Sequence, residues 1–484
     1  MRTLLLFITS AVLISCQPTA NEKYSEFKKI NTEVLAYSEA FTTLEHVTSS
    51  IGHRLTGSLN GKAAEEFTYN KFKEYGFEDV TFQDFEVEAW SRGTLSLNIS
   101  SGDSNLSMPA VSLGHSPIKD SVTAPLVYLG NGLAKDYEEI GDKLEGKIAL
   151  VYIGLLAGTN NGVHNLHRSE KASLAIANGA AGVIIYNQVE NGVLLTGTAS
   201  VSGSLLPVPA ICIGLEDGED LKEKLDKGEL EATIVMTNHS NKIKARNVIA
   251  TLPGSDLSSE KIILGGHLDS WDLATGAIDN GIGAFAVLDI ARTFIKNGIK
   301  PKRTLQFVMF MGEEQGLLGS TYMVEQAIQD GSINDIKFMM NLDMTGNPIG
   351  INVSGTEIDS AHFKNSGSAI NTIDTTYSDT FSVSAGLHSD HQPFMLEGIP
   401  ILSMHSNLDR SVYNCYHADC DDFDLVNEEH IRNTVRFGTM QLLALANADK
   451  LPAKRMTSDE TKEFMINNHL KEKLILQGDW KWEQ

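Results

Sequence analysis

Hydrophobic and polar positions divide the chain into stretches of different period. Between Tyr24 and Tyr75 the spacing is helical, with Ala63-Ala64-Glu65-Glu66-Phe67 inside a run that stops at Gly76. Alternation over residues 79–87 then predicts a strand with one buried face. From about residue 124 to 237, short apolar runs at 126–129, 148–153 and 182–186 read as strands, with helices around 171–177 and near 220–225. From 244 to about 448, wholly apolar strands at 262–265, 305–310 and 338–342 alternate with helices at 282–294 and 320–328. Strands without a polar face, joined through helices, imply a sheet covered on both sides. The expected fold class is therefore α/β: a mostly parallel central sheet flanked by helices, with a small α/β insert. Residues 16–118 and 244–450 would form the main domain and 119–243 the insert, while 451–484, rich in Lys, Glu and Asn, would be a solvated tail or terminal helix.

A length of 484 residues supports such a multidomain reading, and 42% hydrophobic with 21% charged residues is an ordinary globular composition. Charge is one-sided: 62 acidic against 39 basic residues leave a net of -23. No Lys/Arg cluster offsets it, which excludes nucleic acid and anionic membrane surfaces as partners. Residues 1–15 carry Arg2 and an apolar stretch too short to span a bilayer, the pattern of a signal peptide. The segment Leu13-Ile14-Ser15-Cys16 resembles a bacterial lipobox, making Cys16 the expected lipidation site. Gln17 in place of Asp points to the outer membrane. The expectation is an exported protein whose membrane contact is its lipid alone, with a secreted form as the alternative. Cys212 sits in an apolar run and reads as a buried thiol. Cys415 and Cys420 are a disulfide candidate in an oxidising compartment, with a metal-binding pair as the weaker alternative because better oxygen and nitrogen ligands lie nearby.

The chemistry concentrates just after the apolar strands of the main domain. His267 and Asp269, then Asp279, then Glu313 and Glu314, then Asp343, and finally His417 lie in five segments. In an open α/β sheet, ligands bind beyond the carboxyl ends of the strands, so these segments would converge on one crevice. Carboxylates crowded there would repel one another unless cations neutralise them. Two Zn²⁺ ions bring four positive charges against the three negative charges of Asp279, Glu314 and Asp343, with His267 and His417 neutral. Sharing one aspartate would hold the ions about 3.5–4 Å apart, a spacing that activates water for hydrolysis. Mixed imidazole and carboxylate donors suit zinc better than magnesium or calcium.

The ordered set His-x-Asp, Asp, Glu-Glu, Asp, His resembles the co-catalytic zinc exopeptidases that include bacterial leucyl aminopeptidases and glutamate carboxypeptidases. Gly266-His267-Leu268-Asp269-Ser270-Trp271-Asp272 followed by Gly276-Ala277-Ile278-Asp279-Asn280-Gly281 is similar to their plasma glutamate carboxypeptidase (carboxypeptidase Q) branch. The insert resembles a protease-associated domain. The resemblance implies that Asp279 bridges two zinc ions, with His267 and Asp343 on one and Glu314 and His417 on the other. Glu313 would be the general base and acid, and Asp269 would accept the His267 imidazole N–H and fix its tautomer. It also implies a cis peptide at Asp279-Asn280. Around His417 the chain departs from the His-His-Thr-x-x-Asp-Thr pattern of many relatives and reads Tyr416-His417-Ala418-Asp419-Cys420-Asp421-Asp422, keeping only His417 and Asp421 in step. His388 and His391 compete as ligands but fit a non-ligand loop of the family, and His164 and His167 are expected to face solvent. The activity implied is hydrolysis of a terminal peptide bond in short peptides, by a carboxypeptidase or dipeptidase with an aminopeptidase as the alternative. An intact ligand set and base argue against a receptor that has lost catalysis. Substrate-binding residues are not assigned, and the oligomeric state stays open between monomer and homodimer.

Overall fold

The computed structural model describes residues 24–102 and 104–483; the expected signal peptide and Cys16 lie outside them. At the centre of the molecule the strands Arg303–Phe310, Leu257–His267, Ile336–Asn341 and Ile401–Met404 lie side by side and parallel. Gly350–Ser354 and Glu231–Leu252 flank this group antiparallel, so the sheet is mixed at its margins and parallel where its carboxyl ends build the crevice. Alternate residues of the same strand feed separate cores. Ile262, Leu264, Phe307 and Met340 pack on one face with Phe285, Phe294 and the helix Glu428–Ala446. Ile263, Val308, Phe310 and Met339 pack on the other with Met323, Phe394 and Met465. Burial on both faces is what the unbroken apolar runs demand.

The N-terminal helical stretch resolves into Ser25–Tyr37, Ala40–Ser50 and Leu59–Tyr75. The last begins at Ser58, whose hydroxyl accepts the Gly61 N–H, and stops at Gly76 with φ of 105°, a left-handed cap suited to glycine. The alternating segment continues well past residue 87 as the strand Asp79–Ser101. It pairs antiparallel with Glu231–Leu252 from Asp79↔Thr251 to Ser100↔Glu231, with an irregularity between Arg92 and Leu95. This ribbon leaves the central sheet and becomes one side of the insert, crossing the border expected at residue 243. In the insert, Lys119–Tyr128, Ile148–Tyr152, Gly182–Tyr186 and Ala210–Ile213 form a parallel run over two cores of its own. Cys212 is buried there as a free thiol.

The C-terminal residues are not a solvated tail. They fold as Ser458–Asn467 and Lys471–Gln477, and Met465, Leu470 and Leu474 enter the second core of the main sheet. Lys and Glu are frequent, but Met465 points inward from the first of these helices and Leu470 and Leu474, four apart, from the second and its N-cap.

Candidate active site

Four of the chemical groups sit where a strand ends. His267 is the last residue of Leu257–His267, Glu313 and Glu314 follow Arg303–Phe310, and Asp343 follows Ile336–Asn341. Asp279 lies in the turn Ala277–Gly281 that opens the helix Ile282–Lys296, and its peptide bond to Asn280 is cis. His417 stands in a loop enclosed by the Cys415–Cys420 disulfide, at φ of 55°.

The structure brings all of these except Asp269 to one cleft of about 460 Å³. Asp279 stands between the two histidines: His267 Nε2 lies 3.2 Å from its Oδ1 and His417 Nε2 lies 2.9 Å from its Oδ2. Asp343 Oδ1 is 3.5 Å from His267 Nε2, and Glu314 Oε2 is 3.0 Å from His417 Nε2. Two triads result, His267/Asp279/Asp343 and Asp279/Glu314/His417, each with donor atoms within 4.8 Å of one another. Glu313 belongs to neither, and its Oε2 is 4.0 Å from His267 Nε2.

This donor set fits divalent cations. Glu314 Oε1 is buried with no hydrogen-bond partner, and both imidazole Nε2 atoms face carboxylate oxygens. Without ions, protons must hold the cluster together. Burial alone would lower the His267 pKa, but Glu313 and Asp343 drive it well above the usual value. His417 is likewise raised against its burial, chiefly by Glu314. Burial pushes the Glu313 carboxyl well up, with Asp343 and Glu314 adding repulsion, and it raises Glu314 too. Burial also opposes ionisation of Asp279, which its two histidines nevertheless hold below the ordinary carboxylate range. Cations would replace these protons.

Asp269 stands differently from the expectation. The His267 Nδ1 partner is the Asp269 backbone carbonyl at 3.1 Å, while its carboxylate Oδ1 is 3.6 Å away, outside hydrogen-bond range. Asp269 Oδ2 instead accepts from the Thr56 hydroxyl at 2.8 Å, and the same hydroxyl accepts the Gly312 N–H at 2.8 Å. Asp269 thus ties the His267 loop to the Glu313 loop and does not reach the cleft.

Four buried residues that hold the loops escape sequence reasoning. Arg54 donates to the carbonyls of Leu268, Thr275 and Gly276, clamping the His267 and Asp279 segments together; burial lowers its pKa to about 10, so it stays charged. Thr56 is the second. Asn280 donates to Leu342 O at 2.9 Å and accepts from Met344 N at 3.0 Å, fixing the backbone on both sides of Asp343. Its amide packs so closely on Gly283 that a Cβ there would lie 2.2 Å from Oδ1. Asp421 accepts the N–H groups of Ile278 and Asp279 at 2.7 and 3.0 Å; burial pushes its carboxyl up to about 7 against those donors. Asp421 left a trace in the sequence through its spacing from His417, and Asn280 through the motif around Asp279, though neither showed the hydrogen bonds it makes.

The insert contributes to the cleft. Thr196 N donates to His417 O at 2.9 Å, and His167, Arg168, Thr198 and Ser200 line the cavity. His164 is exposed, whereas His167 is half-buried: it opens the helix Arg168–Ala177 and stacks on His388 at 4.5 Å. His388 and His391 line the wall and join neither triad. Between them, Ser389 donates to Asp343 Oδ2 at 2.6 Å.

Residues 247–439 match peptidase family M28, and residues 122–221 match the PA domain. Leucine aminopeptidase 2 of Trichophyton rubrum is 31% identical over 300 residues, 61% of this chain; the chain spans only 55% of that relative's length. Carboxypeptidase Q of Xenopus laevis is 26% identical over 386 residues, covering 73% of this chain and 80% of the relative. The fold is similar to that of a peptidase M28 precursor from Shewanella amazonensis, with a TM-score of 0.77 at 23% identity over 91% of this chain and 100% of the other. A zinc aminopeptidase from Bacillus subtilis gives 0.64 at 25% identity, over 87% of this chain and 98% of the other. Matched motifs, converging strand ends and the second domain together show a chain that carries a peptidase family M28 domain over residues 247–439, with an inserted PA domain.

Proposed function

We propose that the protein is a di-zinc exopeptidase that removes a terminal residue from short peptides, acting as a carboxypeptidase or dipeptidase. Two zinc ions, one per triad, would supply the Lewis acidity that polarises the scissile carbonyl and acidifies the attacking water. Glu313 takes a proton from that water as its oxygen bonds to the carbonyl carbon. The same carboxyl then passes the proton to the amide nitrogen as the C–N bond breaks.

Arg168 carries the choice of terminus. It is buried to 5% exposure, lines the cleft, and leaves its Nε without a hydrogen-bond partner. Among the described residues it makes no ion pair with any carboxylate, and its charge opposes protonation of the neighbouring His417. Its guanidinium packs against Gly197, where a Cβ would lie 2.0 Å from it. A fixed guanidinium that touches the Tyr416 hydroxyl but no carboxylate, beside a hydrolytic centre, suits the free carboxylate of a peptide. Asp479 lines the same cleft and would suit an ammonium, which, with the names of the Trichophyton and Bacillus relatives, supports an aminopeptidase as the second reading.

Zinc-loaded protein should cleave N-blocked but not C-blocked dipeptides. Arg168→Met should raise KM for peptides with a free C-terminus by roughly 10–100-fold, the worth of about 1.5–3 kcal/mol for a hydrogen bond to a charged group. Cleavage of C-blocked peptides alone would establish the aminopeptidase reading instead.

We also propose export with a lipid on Cys16. Cys16→Ser should move the protein from the membrane to the soluble fraction with its melting temperature unchanged. Equal membrane retention of both proteins rules the anchor out.

A further inference from the structure

The C-terminal segment lies outside the region matched to the peptidase family, yet Gln477 and Asp479 line the same cleft as the two triads. Gln477 joins three separate parts of the chain. Its Nε2 donates to Glu170 Oε1 of the insert at 3.0 Å, and its Oε1 accepts from Gln392 Nε2 of the catalytic domain at 3.1 Å. Gln392 also donates to Asp479 Oδ2 at 2.8 Å. Glu170 is fully buried, and its second oxygen accepts the His167 N–H at 2.8 Å, so the staple acts directly on the start of the insert helix that carries Arg168. Leu474 anchors the segment from beneath, in the core of the main sheet. The chain of contacts reaches the metal centre, since His388, stacked on His167, precedes the serine bonded to Asp343.

We propose that the C-terminal segment is a specificity-determining wall of the cleft, in which Gln477 fastens the PA domain to the catalytic domain and closes the cavity to long peptides. The proposal rests on the exopeptidase reading and adds a cause for substrate length. A cavity of about 460 Å³, within the usual range for small-ligand sites of about 300–1,000 Å³, encloses a few residues while the insert is held against the catalytic body. Gln477 is therefore a positioning residue for the wall and plays no part in bond cleavage.

Gln477→Glu sets a second carboxylate against Glu170 and should part the insert from the wall, while Gln477→Ala only removes the link. Hydrolysis of a dipeptide and a hexapeptide with free termini is compared, together with hydrogen exchange in the helix Arg168–Ala177. The wild type should strongly favour the dipeptide. In Gln477→Glu the hexapeptide-to-dipeptide ratio of kcat/KM should rise by about tenfold, a discrimination typical of one pocket contact. Gln477→Ala should show a smaller rise, and exchange in the helix should quicken in both. A ratio unchanged in both variants overturns the proposal, as does a wild type that cleaves the two peptides equally well; either leaves the exopeptidase reading standing. A wild type that cleaves neither peptide removes that reading and the length discrimination with it, and unchanged exchange in both variants then removes the staple as well.

Discussion

Glu313→Gln is expected to lower kcat by about 10²–10⁴-fold with little change in KM, the contribution typical of general acid–base catalysis. The substitution keeps the size and hydrogen-bonding shape of the side chain and removes the proton acceptor. Glu313 lies outside both triads, so metal content should stay at the wild-type level. Its neighbour should behave differently. Glu314 Oε2 is 3.0 Å from His417 Nε2, and its buried Oε1 has no protein partner. Glu314→Ala should therefore lose one ion, and activity should fall because the centre is incomplete. Elemental analysis of the two variants separates the roles. Should Glu313→Gln lose a zinc while Glu314→Ala keeps both, the assignments are exchanged.

Chelation is expected to abolish hydrolysis and lower the melting temperature, by more at about pH 8.5 than at about pH 6. The sign follows from the protons that hold the ion-free cluster. His267 and His417 have raised pKa values, as their carboxylate neighbours outweigh burial. A raised value stabilises the fold fully below the unfolded imidazole pKa of about 6.5 and ceases to do so as pH climbs through the folded one. Glu313 and Glu314, raised by burial, act in the same direction. Asp279, depressed, stabilises the fold above the unfolded carboxylate pKa of about 3.9 and loses that contribution only as pH falls into the acid range, so it makes no difference between the two pH values. Ions that replace the protons matter most where the protons are gone. Added Zn²⁺ should restore activity and melting temperature at a ratio of two per chain. Full activity in exhaustively chelated protein, with no metal found by elemental analysis, would exclude the mechanism.

The parts of this centre legible in the sequence are those that repeat a local rule. Apolar runs such as 262–265 and 338–342 mark strands buried on both faces, and a polar residue just past each run falls at the crevice by topology alone. His267, Glu314 and Asp343 are found that way. The residues that hold them obey no such rule. Arg54 sits more than 200 positions from the carbonyls it clamps, and nothing in Ile51-Gly52-His53-Arg54-Leu55-Thr56 distinguishes a clamp from an exposed turn. Arg168 and Gln477 face the cleft only because the insert and the C-terminal helix are packed across it, a tertiary fact. The C-terminal residues leave tail and terminal helix open for a simpler reason: composition averages over a segment, whereas burial depends on where Leu470 and Leu474 point.

The ribbon of Asp79–Ser101 and Glu231–Leu252 also sets an order of events for the newly made chain. Its two strands are separated by the whole insert, so pairing Asp79 with Thr251 in an unfolded chain closes a very long loop before any contact repays the lost entropy. Once the insert has folded, Ser100 and Glu231 are already neighbours, and the ribbon can grow from that end one pair at a time towards the central sheet. The borrowed domain is then the template on which the last strands of its host register.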